Sequence, residues 1–281
     1  MQDIEKALKE IRRDQKDIGV TTESLNRLPI FQPTLKPRFE VRTFESKYGK
    51  ITVEGKLGQN HKSLLEVVLY KRKAYKLKID KNEDDVKVSL EVLYNEYEVK
   101  KYLSQSSKYS DERYHQMIKD MITAYIVLEK DDERIAGTII ARERESKKYY
   151  RKTKSNLPNI KREIPYVKLE FGDVFSRLLV KELRFTYDPK PIIMLDGGIS
   201  QAIVRFLLTH KRHPKAGYHL KALLENLTKN IEGQAWKDIR RALKKDAAML
   251  ENLGAVIDFK EDRLFVVERS FIGGYRLCCT L

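Results

Sequence analysis

The chain has 281 residues, and its 56 Lys plus Arg exceed its 41 Asp plus Glu to give a formal net charge of +15. At about 150 residues per domain this length predicts two domains, each large enough to bury its own core. The charge predicts a polyanionic partner, nucleic acid before a membrane surface, and the 41% hydrophobic content excludes a disordered basic tail.

No apolar run approaches the roughly 18 residues of a membrane span, and the start Met1-Gln2-Asp3-Ile4 lacks the apolar core of a secretory signal. Cys278 and Cys279 are adjacent and make no disulfide framework, so a reducing cytoplasm is the expected location.

In chain order, residues 1–25 are expected as a charged amphipathic helix with Ile4, Ala7, Leu8, Ile11 and Ile18 on its apolar side. Pro29, Pro33 and Pro37 then stop any helix and impose an extended arm, so residues 1–45 read as an N-terminal helix and arm. Residues 38–54 hold the β-formers Phe39, Val41, Phe44, Ile51 and Val53, and Leu64, Leu65, Val68 and Leu69 make a helical stripe over 61–70. Short strands are expected over 76–88 around an acidic turn at 82–85. Ser89 is expected to cap a helix holding Leu90, Val92 and Leu93. Ser110 opens the next helix, with Tyr114, Met117, Ile118, Met121, Ile122 and Tyr125 inward, and a hairpin follows over 126–141. Helix, strand, helix, helix, hairpin is the order of a winged helix, expected over 46–146.

Lys147 to Arg162 carries seven basic residues and no acidic ones, so 147–165 reads as a basic linker. The same order of elements returns over 166–281. A strand over 166–171 and a helix over 173–183 lead into helices at 200–210, 220–227 and 234–253. The last is ended by Gly254 and followed by a hairpin turning at 260–263. The fold expected is α+β: two tandem winged-helix domains, mainly helical, with short wing hairpins.

The helix over 234–253 carries the strongest functional signal. Trp236, Ile239, Leu243, Ala247, Leu250 and Leu253 recur at helical spacing, while Lys237, Arg240, Arg241, Lys244 and Lys245 fall largely on the other side. A helix entering the major groove needs that division: an apolar packing face, and an outer face offering Arg to guanine edges and Lys or Arg to phosphates. Gln234 is placed to read adenine, and Lys260 and Arg263 sit on the following hairpin. The competing reading is a solvated basic face. In the first half, Arg113, Gln116 and Lys119 face outward among Asp111, Glu112 and Asp120, which fits a DNA contact and a protein surface equally. Lys147, Lys148, Arg151, Lys152 and Lys154 are expected to track phosphates.

Enzyme signatures are missing from the sequence. His210, His213 and His219 have no acidic or cysteine ligands spaced with them, and no phosphate-binding glycine loop exists, so neither metal nor cofactor is expected. Carboxylates of a nuclease or relaxase dispersed through the fold would leave no local motif.

Three segments, His61–Tyr70, the start Val88-Ser-Leu-Glu-Val-Leu and Tyr114–Leu128, resemble the first winged helix of plasmid replication initiators. Phe206–Pro214, Leu220–Leu224 and Trp236–Gly254 resemble the second, in the TrfA type and more distantly the RepE type. The resemblance covers roughly residues 55–270 and rests on hydrophobic pattern and element order. It implies a non-enzymatic, cofactor-free protein that binds direct repeats, called iterons, at a plasmid origin. It further implies opening of an adjacent AT-rich element, recruitment of a host initiator and replicative helicase, and monomer–dimer self-association. Base reading then falls on Gln234, Lys237, Arg240, Arg241 and Lys244. A winged-helix transcriptional regulator is the nearest alternative.

Overall fold

The computed structural model describes residues 19–46, 49–81, 86–103, 110–130, 133–146, 166–180, 184–210, 212–228, 232–267 and 276–278. The expected N-terminal helix lies outside the described residues up to position 18. Beyond it stand a two-residue strand β1 (Thr21–Thr22) and a short helix α1 (Glu23–Arg27). The proline-spaced arm has no helix or strand of its own. It is held by a bridge between Gln32 and Gly58 and by the Gln59 amide donating to the Thr34 carbonyl at 2.9 Å.

The first unit runs β2 (Glu40–Ser46), β3 (Gly49–Gly55), α2 (Gln59–Tyr70), β4 (Arg72–Lys81), β5 (Val86–Asn95), α3 (Glu96–Leu103), α4 (Asp111–Thr123), β6 (Tyr125–Lys130), β7 (Glu133–Thr138), β8 (Ile140–Ser146), β9 (Tyr166–Phe171) and α5 (Asp173–Val180). Its strands form two four-stranded sheets, in orders β2-β3-β6-β7 and β4-β5-β9-β8, with antiparallel neighbours throughout. α2 lies between these sheets in sequence and is buried from Gln59 to Leu69.

Residues 86–95 form a strand, and Ser89 caps no helix. Val88, Leu90, Val92 and Tyr94 alternate along the chain and are all buried, a period of two that only a strand satisfies. Tyr125 opens β6 and is 42% exposed, so it leaves the inward face of α4 to Tyr114, Met117, Ile118 and Met121. A unit with two ten-residue strands is not mainly helical with short hairpins. Finally, β8 pairs with β9 up to Ser146 opposite Tyr166, so 147–165 joins two neighbouring strands of one sheet. Val167, Leu169, Phe171, Val174 and Phe175 belong to the first core, and the two cores do not divide at 147–165.

The second unit holds β10 (Arg184–Thr186), α6 (Lys190–Met194), α7 (Gly198–Leu207), β11 (Tyr218–His219), α8 (Leu220–Glu225), α9 (Gly233–Asn252), β12 (Ala255–Asp258), β13 (Arg263–Val266) and β14 (Arg276–Cys278). From α7 on, the expected order of helix, helix, helix and hairpin is present. The short β11 is added, giving a three-stranded sheet in order β11-β13-β12. Gly254 ends α9 at φ +84°, a left-handed conformation that glycine adopts without a Cβ penalty. A separate sheet, β1-β10-β14, ties the N-terminal strand to the second unit.

A buried polar seam joins the units. Arg205 on α7 is 1% exposed and grips Glu66 on α2, Nε to Oε1 at 2.9 Å and Nη2 to Oε2 at 2.7 Å. Its remaining donors reach Gln59 Oε1 (2.7 Å), Gln201 Oε1 (3.2 Å) and Ser63 Oγ (2.9 Å), while the Tyr187 hydroxyl donates to Glu66 at 2.8 Å. Lys62, one turn from Glu66, donates to Asn26 Oδ1 at 2.6 Å and to the Leu25 carbonyl. Burial holds the Lys62 ammonium well below the usual lysine pKa, against the pull of Glu66. The arm completes the joint: a Cβ on Gly58 would lie 2.5 Å from the Thr34 carbonyl oxygen, and one on Gly198 2.5 Å from Thr34 Cα.

A candidate nucleic-acid interface

α9 is a 20-residue helix, and its packing face is set by Leu243, Asp246 and Leu250, all buried. Trp236, Ile239, Ala242 and Met249 pack against the same core while staying partly exposed. Asp246 is the acid inside this apolar stripe. Its carboxylate accepts from the backbone amides of Asp196 (2.8 Å) and Gly197 (2.7 Å), next to the start of α7. A negative charge at a helix N-terminus meets amides that have no intrahelical partner, so Asp246 locks α9 to α7 through charge as well as packing.

The outer face carries Gln234, Lys237, Arg241, Lys244 and Lys245, all exposed. Positions 237, 241 and 244 are spaced i, i+4, i+7, so their side chains form one stripe along the helix. Arg241, 67% exposed, pairs with Asp238 at 2.9 Å, and Gln234 donates to the same carboxylate oxygen at 3.0 Å. An exposed pair of this kind contributes about 0–1 kcal/mol, so a phosphate or base edge can displace it.

Arg240 is placed differently from its neighbours. Its guanidinium donates to the Phe259 carbonyl at 2.5 Å, pairs with Asp262 at 2.8 Å and lies 5.6 Å from the Trp236 ring centre. It braces α9 against the turn between β12 and β13. Asp262 in that turn has φ +48°, in the left-handed region that Asp tolerates better than most residues. Lys244 Nζ lies 5.5 Å from the Phe259 ring centre. Lys260 projects from the turn and is exposed, whereas Arg263 is drawn back to donate to the Ala216 carbonyl at 2.7 Å. Asp258 stays below the ordinary aspartate pKa because the Glu261 and Lys260 amides donate to it, which holds the turn closed.

The residues expected on α4 are less free. Arg113 donates to the Leu35 carbonyl at 2.9 Å and so clamps the arm, and Gln116 donates to Asp120 at 2.7 Å. Lys119 is exposed. Asp120 in turn meets His61 Nε2 at 3.2 Å, and His61 Nδ1 accepts from the Gly58 amide at 3.1 Å, which fixes the start of α2. Burial raises the Asp120 pKa, but His61, Gln116 and Lys56 pull it further the other way and leave it below the ordinary value. Lys147, Lys148, Arg151, Lys152 and Lys154 lie outside the described residues.

His210 and His213 serve packing. His210 Nδ1 lies 3.1 Å from the Phe206 carbonyl, and His213 Nδ1 lies 2.9 Å from the Tyr218 hydroxyl. Among the described residues no group of three or more His, Cys, Asp or Glu is placed to hold a metal ion, and no helix is long and apolar enough to cross a membrane. The sequence reading missed Asp246 as an anchor, although its position between Leu243 and Leu250 marks it as a polar residue on a buried face. The Arg205–Glu66 pair has no local signal, because its partners are 139 residues apart.

No protein-family model matches the chain, and no curated protein matches it. The fold does resemble a solved one: the crystal structure of domains 2 and 3 of RctB, at 10% sequence identity and a TM-score of 0.51, over 81% of this chain and 85% of that one.

Proposed function

We propose that the chain is a non-enzymatic replication initiator that binds double-stranded DNA at direct repeats of a plasmid origin. The observation that carries this reading is α9, a long helix seated on a core by one face and presenting Lys237, Arg241, Lys244 and Lys245 on the other. The unit from α7 to β13 is read as a winged helix, with α9 in the major groove and Lys260 on the β12–β13 turn near the backbone. Lysine and arginine on these elements neutralise phosphates and release counterions, which supplies affinity, and Arg241 and Gln234 reach base edges, which supplies specificity. The structural likeness to domains 2 and 3 of RctB supports this reading at the level of the fold, and the resemblance of the sequence to iteron-binding initiators supports the function.

In this reading the protein acts in the cytoplasm without cofactor. The first unit contributes a weaker DNA contact through Lys119 and a surface for self-association, and host initiator and helicase bind the assembled origin complex. The test is binding of the full chain to duplexes carrying the repeats found beside its gene and to scrambled duplexes of equal length. A preference of 10³-fold or more at about 0.15 M salt is expected of a specific site. Equal affinity for both duplexes would reject an origin-binding role.

A further inference from the structure

The outer face of the sheet β4-β5-β9-β8 belongs to neither core. Leu90, Val92 and Tyr94 are fully buried on one side of β5, so Ser89, Glu91 and Leu93 point to the other. The register carries that face across the sheet. Lys76 lies opposite Glu91, Glu91 opposite Glu170, and Glu170 opposite Arg142. In the next row Leu93 lies opposite Lys168, and Lys168 opposite Arg144. Lys78, two residues beyond Lys76, shares the face.

The acids on this face are partly neutralised in place. Glu91 is gripped by Lys78 at 2.7 Å and Lys168 at 2.8 Å, and although burial alone would raise its pKa, the two ammonium groups hold it below the ordinary glutamate value. Lys76, Arg142 and Arg144 are exposed and form no ion pair with another described residue. They stand on the two outer strands of the sheet, about 14 Å apart at three inter-strand steps. By sequence, the chain joining β8 to β9 adds seven cations and no acid between Lys147 and Arg162.

We propose that this sheet face, with Lys76, Arg142, Arg144 and Lys168 as its contacts, is a second nucleic-acid surface that holds a phosphodiester backbone without reading sequence. It deepens the proposed function by giving the first unit a DNA-binding role that does not depend on α4. A sheet face whose two outer strands carry cations unpaired with any other described residue, and whose central Glu91 is held by two lysines, suits a ligand of regularly spaced negative charge. Its apolar elements are the partly buried Leu93, opposite Lys168, and Ala74, opposite Leu93.

The experiment compares the full chain with two variants, Lys76→Gln/Arg142→Gln/Arg144→Gln on the sheet and Lys237→Gln/Arg241→Gln/Lys245→Gln on α9. Each is titrated at several salt concentrations with a random-sequence duplex and with a thymidine single strand. If three phosphate contacts are lost, the slope of log K against log salt falls by about 2.7 on duplex or about 2.1 on single strand for the sheet variant. The arm that responds identifies the form of nucleic acid bound there. A sheet variant that binds both probes like wild type, beside an α9 variant that is weakened, overturns the sheet proposal and leaves the α9 reading standing. Two unaffected variants overturn both. Binding of polyglutamate lost in the sheet variant while both nucleic-acid slopes stay fixed assigns the face to an acidic protein and also overturns the proposal. Arg142→Lys/Arg144→Lys controls for folding, since it keeps the charge and is expected to bind like wild type.

Discussion

In α9 the Arg240 guanidinium is held by the Phe259 carbonyl and the Asp262 carboxylate, while the next residue, Arg241, extends into solvent and pairs with the exposed Asp238. The sequence makes the two arginines look equivalent, because helical spacing places both on the polar side. Tertiary contacts with the β12–β13 turn separate them. Arg240→Ala is therefore expected to lower the melting temperature and weaken binding to all DNA sequences alike. Arg241→Ala should leave melting unchanged and cost roughly 1–3 kcal/mol of discrimination at one base-pair position. Thermal unfolding and binding to point-mutated sites, measured on both variants, decide this, and identical profiles would refute the distinction. Asp246 gives a second residue-scale test. Its fully buried carboxylate accepts two backbone amides, so Asp246→Ala leaves those donors unpaired and is expected to cost about 2–3 kcal/mol in denaturant unfolding. A cost near zero would mean that water replaces the carboxylate.

Elements were legible in the sequence where one periodicity dominated. α2, α4 and α9 each repeat an apolar stripe at helical spacing, and the structure places them within a few residues of the expected bounds. β5 looks helical in sequence because Leu90, Val92 and Leu93 fit a helical stripe, while the decisive alternation runs through Val88 and Tyr94. The join from β8 to β9 is hidden in the sequence for a different reason. A charged, proline-bearing stretch resembles a linker, and only the pairing of Ser146 with Tyr166 shows that the strands it joins are neighbours in one sheet. Changing Lys147, Lys148, Arg151 and Lys152 to Ala is expected to reduce the duplex salt slope by up to about 3.6, with the ranking of operator variants preserved. A changed ranking would place base readout in this segment.

At the scale of the whole molecule, the two cores are joined by charge buried out of water, and pattern reading has no access to such a contact between distant segments. Removing one partner strands the other, so Arg205→Met or Glu66→Leu alone is expected to destabilise by about 3–5 kcal/mol. The paired replacement should recover much of that loss. Chemical denaturation of the three variants checks it, and additive losses would show that the two side chains do not act as a pair. The joint links α7 of the second unit directly to α2 of the first. The outer face of α9 is proposed to read duplex sequence. The most direct test is selection from a pool of randomised duplexes with the wild-type chain and with Lys237→Gln/Arg241→Gln/Lys244→Gln. One enriched motif is expected from wild type and its loss from the variant, whereas no motif from wild type, or the same motif at equal enrichment from both, would overturn base readout by α9.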